Sequence, residues 1–190
     1  MSTVKLRDEN GTGYSLDRLQ PEDVSLSKIA SRLAQLNRYG GALDHPVSVA
    51  AHSVMVSLLC PAGEEWGGLS HDFTEAFVGD VISPIKKRWW MLGFRRQEER
   101  VRKQLARLCL MPAHESEAVR AADRRAFQLE SWWMRGTPCP IANTLEVELC
   151  RSLLREMTWR EARDLFLLRA IELRRPRPRP VAPSSIARGR

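Results

Sequence analysis

The chain has 190 residues, 43% of them hydrophobic, with four cysteines and a formal net charge of +7. Length and apolar content together suffice for one domain with its own core, which excludes a disulfide-stapled miniprotein and a chain disordered throughout. The charge does not define a nucleic-acid-binding fold, because the six arginines from Arg174 onward carry most of it and leave the rest of the chain at +1.

In chain order, the stretch from Val4 to Leu16 places two short alternating segments around Asn10-Gly11, the pattern of a β-hairpin. After Pro21 the sequence reads as helices separated by Gly and Pro. Ser25 or Ser27 caps a first helix with apolar positions Leu26, Ile29, Ala30, Leu33 and Leu36, and Gly40-Gly41 ends it. A second helix runs from about Val47 to Cys60, stopped by Pro61, and a third from near Trp66 to about Val78, broken at Gly79. Beyond Pro84 the period predicts helices near Arg95–Leu110 and Glu115–Met134. The last two start at about Asn143 and Thr158, where Thr158 and Glu161 form a capping-box pattern. The Arg-Pro repeats after Arg174 lack the apolar residues that offset ordering entropy. The expected organisation is a mainly α domain over 21–174, preceded by a β-ribbon over 1–20 and followed by a basic, Pro-rich disordered tail over 175–190.

Cys60, Cys109, Cys139 and Cys150 show no CxxC spacing and lie in or beside apolar stretches, so they are expected as reduced core residues. There is no apolar run of roughly 18 residues and no apolar signal core, which points to a cytoplasmic protein without a membrane partner.

The chemistry concentrates in Ser70-His71-Asp72-Phe73-Thr74-Glu75, continuing to Asp80. On a helix His71, Asp72 and Glu75 project from neighbouring parts of one face. Imidazole and carboxylate together suit a divalent transition metal with positions left for water and phosphate. His52 lies inside an apolar helix and Asp123 follows Val119, Ala121 and Ala122, so each sits where a polar group must be paired or ligated. A hydrogen-bonded core His and a solvent-facing Asp are the alternatives that these residues leave open.

The order His52, then His71-Asp72, then Asp123 resembles the H…HD…D signature of HD-domain phosphohydrolases, and Glu75 and Asp80 sit where the 5′-deoxynucleotidase branch has its catalytic Glu and Asp. The blocks Asn37-Arg38-Tyr39-Gly40-Gly41, Val47-Ser48-Val49-Ala50-Ala51-His52-Ser53 and Gly79 to Lys86 are similar to successive blocks of that branch, which phage-encoded dATP triphosphohydrolases also resemble. The likeness runs from about Ser25 to Met134. It implies an HD-domain helical bundle holding one divalent ion (Mn, Co, Mg, Zn or Fe) through His52, His71, Asp72 and Asp123, with a metal-bound water as nucleophile. Glu75 would position that water, Asp80 would assist proton movement or hold the sugar 3′-hydroxyl, and Arg38, Tyr39 and Lys86 would bind substrate. Tyr39 stands where the nucleotidases carry Trp, and Gly40-Gly41 leaves the base unselected. The expected reaction removes phosphate or triphosphate from a deoxynucleotide. The expected assembly is a homo-oligomer, dimer or higher, touching nucleic acid only weakly through its tail. The alternatives are a catalytically silent HD-fold nucleic-acid-associated or scaffolding module, and a cyclic-nucleotide phosphodiesterase. For the latter, only His45 and His114 remain as further histidine ligands.

Overall fold

A computed structural model describes residues 5–7, 11, 13–108, 110–138 and 142–174. Strands β1 (Lys5–Arg7) and β2 (Gly13–Ser15) pair antiparallel with Leu6 opposite Tyr14, so a small ribbon precedes a mainly α body. The helices are α1 (Leu26–Gln35), α2 (Val49–Leu59), α3 (Glu65–Ser70), α4 (Glu75–Val78), α5 (Ser83–Lys86), α6 (Leu92–Arg107), α7 (Glu117–Arg135), α8 (Thr144–Leu153) and α9 (Trp159–Arg174). None among the described residues is long and apolar enough to cross a membrane. The tail after Arg174 lies outside them, as do Cys109 and Cys139, while Cys60 and Cys150 are buried and not joined in a disulfide among the described residues.

Helix α2 is the axis of the bundle. Every residue from Val49 to Ser57 is buried, so it has no polar face, and α1, α3, α7, α8 and α9 all pack around it. Its start is fixed by Ser48, whose side chain accepts the Ala51 N–H, as Ser25 accepts that of Lys28 at α1. At the far end of the domain Asn143 and Glu146 form a reciprocal cap on α8, and Thr158 and Glu161 pair at the start of α9.

Two elements differ from the sequence reading, both beside the site. Helix α1 stops at Gln35, five residues before the glycines, because Leu36 turns extended and its carbonyl accepts the Val49 N–H at 2.9 Å, while Arg38 N–H donates to Val47 at 2.9 Å. This cross-tie converts 36–48 from helix end to a pinned loop. The third helix is also interrupted: Phe73 N–H bonds Ser70 and Glu75 N–H bonds Asp72, three residues back rather than four. The chain stays right-handed but tightens over His71–Thr74, which separates α3 from α4.

Gly68 brings α3 down onto α2, since a Cβ there would stand 2.7 Å from Cys60 Sγ and 3.0 Å from Ser57 Cα. Gly68→Ala should therefore lower the chemical-denaturation midpoint by the equivalent of about 1–3 kcal/mol, the cost of overpacking. Gly93, in α6 with open space around it, provides the control. Gly93→Ala should leave stability unchanged or raise it by up to about 1 kcal/mol.

Candidate metal centre

His52 projects from the middle of α2 and is fully buried, with both ring nitrogens engaged. Its Nδ1 lies 2.7 Å from Glu130 Oε1, and its Nε2 lies 3.1 Å from Asp123 Oδ1 and 3.9 Å from Asp72 Oδ2. His71 repeats the pattern from the tight turn after α3. Its Nδ1 is 2.7 Å from the Gly68 carbonyl, and its Nε2 is 3.1 Å from Asp72 Oδ2 and 3.9 Å from Asp123 Oδ1. A carbonyl and an ionised carboxylate only accept, so each imidazole carries a proton on Nδ1 and turns Nε2 inward. The two rings stand 5.3 Å apart.

This is the arrangement a metal ligand needs, because the anchored nitrogen fixes the tautomer and the ring direction. Donor atoms of His52, His71 and Asp72 all lie within 4.8 Å of one another, and these three residues could hold a metal ion. Asp123, brought in from α7, has an oxygen within reach of both Nε2 atoms. Two imidazoles and two carboxylates fit a divalent transition metal better than an alkaline-earth ion, which prefers oxygen throughout.

Glu130, which sequence reasoning did not single out, organises the other side of His52. It is fully buried, and its Oε2 accepts from Arg38 Nε at 3.0 Å and Tyr39 Oη at 2.7 Å while Oε1 faces His52. Two helical turns separate it from Asp123 on α7, so one helix supplies both a wall of the site and its anchor. The available signal was a glutamate on the apolar stripe Val119, Ala122, Ala126, Leu129, where an unpaired carboxylate is costly. Burial works against its charge, but His52 and Arg38 outweigh it and hold the carboxyl down at about 2.

The residues expected to bind substrate lie nearby. Tyr39 sits in the left-handed region at φ 59°, held there by its Glu130 bond and by Arg135, whose guanidinium lies 4.3 Å from the ring centre. Arg38 spends only Nε on Glu130, and its terminal nitrogens make no hydrogen bond among the described residues. The Lys86 ammonium is paired with Glu98 and acts electrostatically on Glu75 and Asp80. His45 is half-buried and His114 exposed, and neither joins the cluster.

Glu75 and Asp80 shift in the opposite direction from the imidazole-paired acids. Burial first, then Asp72 and Asp80, push the Glu75 carboxyl up to about 10, and its Oε2 is buried without a hydrogen-bond partner among the described residues. Asp80 is raised too, chiefly by burial. Asp72 moves the other way: burial opposes its charge, but the adjoining His71 drives it well below the carboxylate range. For His71 burial is likewise outweighed, and Asp72 lifts the imidazole to about 9.

Two pH dependences follow. With His71 raised to about 9, a cation must displace its Nε2 proton, so Mn²⁺ or Zn²⁺ affinity should rise between pH 7 and 9, and calorimetry in buffers of different ionisation enthalpy should show proton release. Glu130 is depressed, so its stabilising contribution is complete above its ordinary value of 4.5 and disappears as pH falls through about 2. Glu130→Gln should flatten that acid limb in urea titrations. The same variant should weaken metal binding by about 10–100-fold, because His52 loses its charged anchor.

No protein-family model matches the sequence. Over 114 residues the chain is 31% identical to the uncharacterized protein YfdR of Escherichia coli (strain K12), a match spanning 60% of this chain and 63%, less than two thirds, of that protein. Over 140 residues it is 31% identical to the uncharacterized protein RCAP_rcc00048 of Rhodobacter capsulatus, spanning 66% of this chain and 71% of that protein. The chain belongs to the family of this Rhodobacter capsulatus protein.

Proposed function

We propose that the protein is an HD-type metal-dependent phosphohydrolase that cleaves phosphate or triphosphate from deoxynucleotides, with His52, His71, Asp72 and Asp123 as ligands of one divalent ion. The observation that carries the reading is the matched pair of imidazoles. Both lock Nδ1 on an acceptor, and each Nε2 lies 3.1 Å from one of two carboxylates, Asp123 for His52 and Asp72 for His71, and 3.9 Å from the other. A purely structural His pair has no need for both carboxylates, which repel each other across a partly buried site.

When bound, the ion polarises water and offsets charge on the phosphoryl oxygens. The chain's own residues do the rest. The free terminal nitrogens of Arg38 offer a planar fork to a phosphate while Glu130 holds the side chain still. Tyr39, fixed by the same carboxylate, presents its ring for a sugar or base. Burial and the neighbouring carboxylates raise the Glu75 carboxyl, and its unpartnered Oε2 is the atom that would hold the water; with a cation bound beside it and its own proton released, the carboxylate would accept the proton that the water gives up. Asp80 supplies the hydrogen-bonding carboxyl for the sugar 3′-hydroxyl or a second proton. A silent scaffold is disfavoured, because a buried carboxyl oxygen without a partner costs stability that no structural role recovers.

The deciding experiment is a phosphate-release screen over dNMPs and dNTPs with Mn²⁺, Co²⁺ or Mg²⁺. Turnover is expected with at least one substrate class, and a metal-loaded protein that releases neither phosphate nor triphosphate from any of them overturns the reading. Asp72→Ala and Asp123→Ala should lose both metal, measured by elemental analysis, and turnover. Glu75→Ala should keep its metal and lose about 10²–10⁴-fold in kcat.

A further inference from the structure

The net charge of the body conceals a strongly uneven distribution. From Val81 to Gln97 there is no acidic residue, while Lys86, Lys87, Arg88, Arg95 and Arg96 supply five cations. Lys86 is neutralised by Glu98, but Lys87, Arg88, Arg95 and Arg96 are exposed and form no ion pair among the described residues. Interleaved with them are the most exposed aromatic rings on the described surface, Trp89 at 76% and Trp90 at 55% exposure, together with Ile82, Ile85 and Leu92. The segment is folded together: the short turn at Trp89–Met91 packs on α6, and the Lys86 ammonium lies 6.0 Å from the Phe94 ring centre. It also borders the metal centre, since α4, which carries Glu75, packs against α6.

We infer that the surface from Ile82 to Arg96 binds single-stranded nucleic acid, with Trp89 and Trp90 stacking on bases and Lys87, Arg88, Arg95 and Arg96 contacting the backbone phosphates. Exposed π faces beside unpaired cations suit a flexible polyanion whose bases are free to stack. A second copy of the chain fits less well, because a two-fold contact through this face sets four unpaired cations against their own copies. An anionic membrane fits less well too. The rings sit on short turns, and α6 sends Val101 and Leu105 into the core instead of presenting a continuous apolar stripe. The inference stands apart from the hydrolytic reading, since binding requires neither metal nor turnover.

The test is fluorescence anisotropy of the full chain with a labelled oligo-dT of about 12 nucleotides, in EDTA, across a salt series. Binding is expected, weakening with salt. Trp89→Ala and Trp90→Ala should each lower affinity about tenfold, the loss of one stacked base. Arg88→Ala combined with Arg95→Ala should reduce the slope of log affinity against log salt by about 1.4, two phosphate contacts at about 0.7 each. These side chains are exposed, and unchanged circular dichroism should show the variants folded. Absence of oligonucleotide binding overturns the inference. So does binding that all four substitutions leave intact, which would assign it to another part of the chain. Sedimentation showing a dimer that Trp89→Ala dissociates, or flotation on phosphatidylglycerol vesicles without oligonucleotide binding, would assign the face to those partners and overturn it equally.

Discussion

The carboxylate of Glu130 is the constraint on which the site depends. It lies fully buried and is contacted by an imidazole, a guanidinium and a phenol drawn from two other segments of the chain. Removing one partner of such a buried ionic cluster costs about 3–5 kcal/mol, because the others are left without compensation. The cluster therefore links the orientation of His52 on α2 to the position of Arg38 and Tyr39 in the loop before it. A left-handed Tyr39 backbone persists because the side chain is bonded to α7 and capped by Arg135.

The second link is steric. His71 can face His52 only because α3 approaches α2 closely, with Gly68 against Cys60 and Ser57, and the same Gly68 supplies the carbonyl that anchors the His71 ring. One residue thus sets both the distance between the helices and the tautomer of the second imidazole. The tightened turn over His71–Thr74 then carries the chain into α4 and delivers Glu75 into a buried position beside Asp72.

Electrostatically the centre sorts its acids into two groups. Asp72, Asp123 and Glu130 face imidazoles or a guanidinium and remain ionised below the usual range, whereas Glu75 and Asp80 meet burial and like charge and are raised. Carboxyl groups of the same chemistry are thereby divided by their environment into a set held ionised and a set pushed toward the protonated form. The positive segment around Trp89 faces solvent, and Lys86 within it acts electrostatically on both Glu75 and Asp80.

The amino-acid sequence alone determined the helical class, the hairpin, a first-helix cap at Ser25 or Ser27, the Thr158–Glu161 capping box, and the polar residues His52, His71, Asp72 and Asp123 as those that stand out. These are local properties, set by periodicity, capping chemistry and the cost of burying a polar group. What only the tertiary structure decided is what those groups touch. Glu130 read as one more charged residue on a long helix until packing placed it under His52. The pairing of Lys86 with Glu98 is set by α6, and the helix expected through His71 and Asp72 is broken by a turn that residue spacing does not encode. Partners from 12 to 92 residues away are chosen by how the helices stack, and that depends on the whole core rather than on any window of sequence.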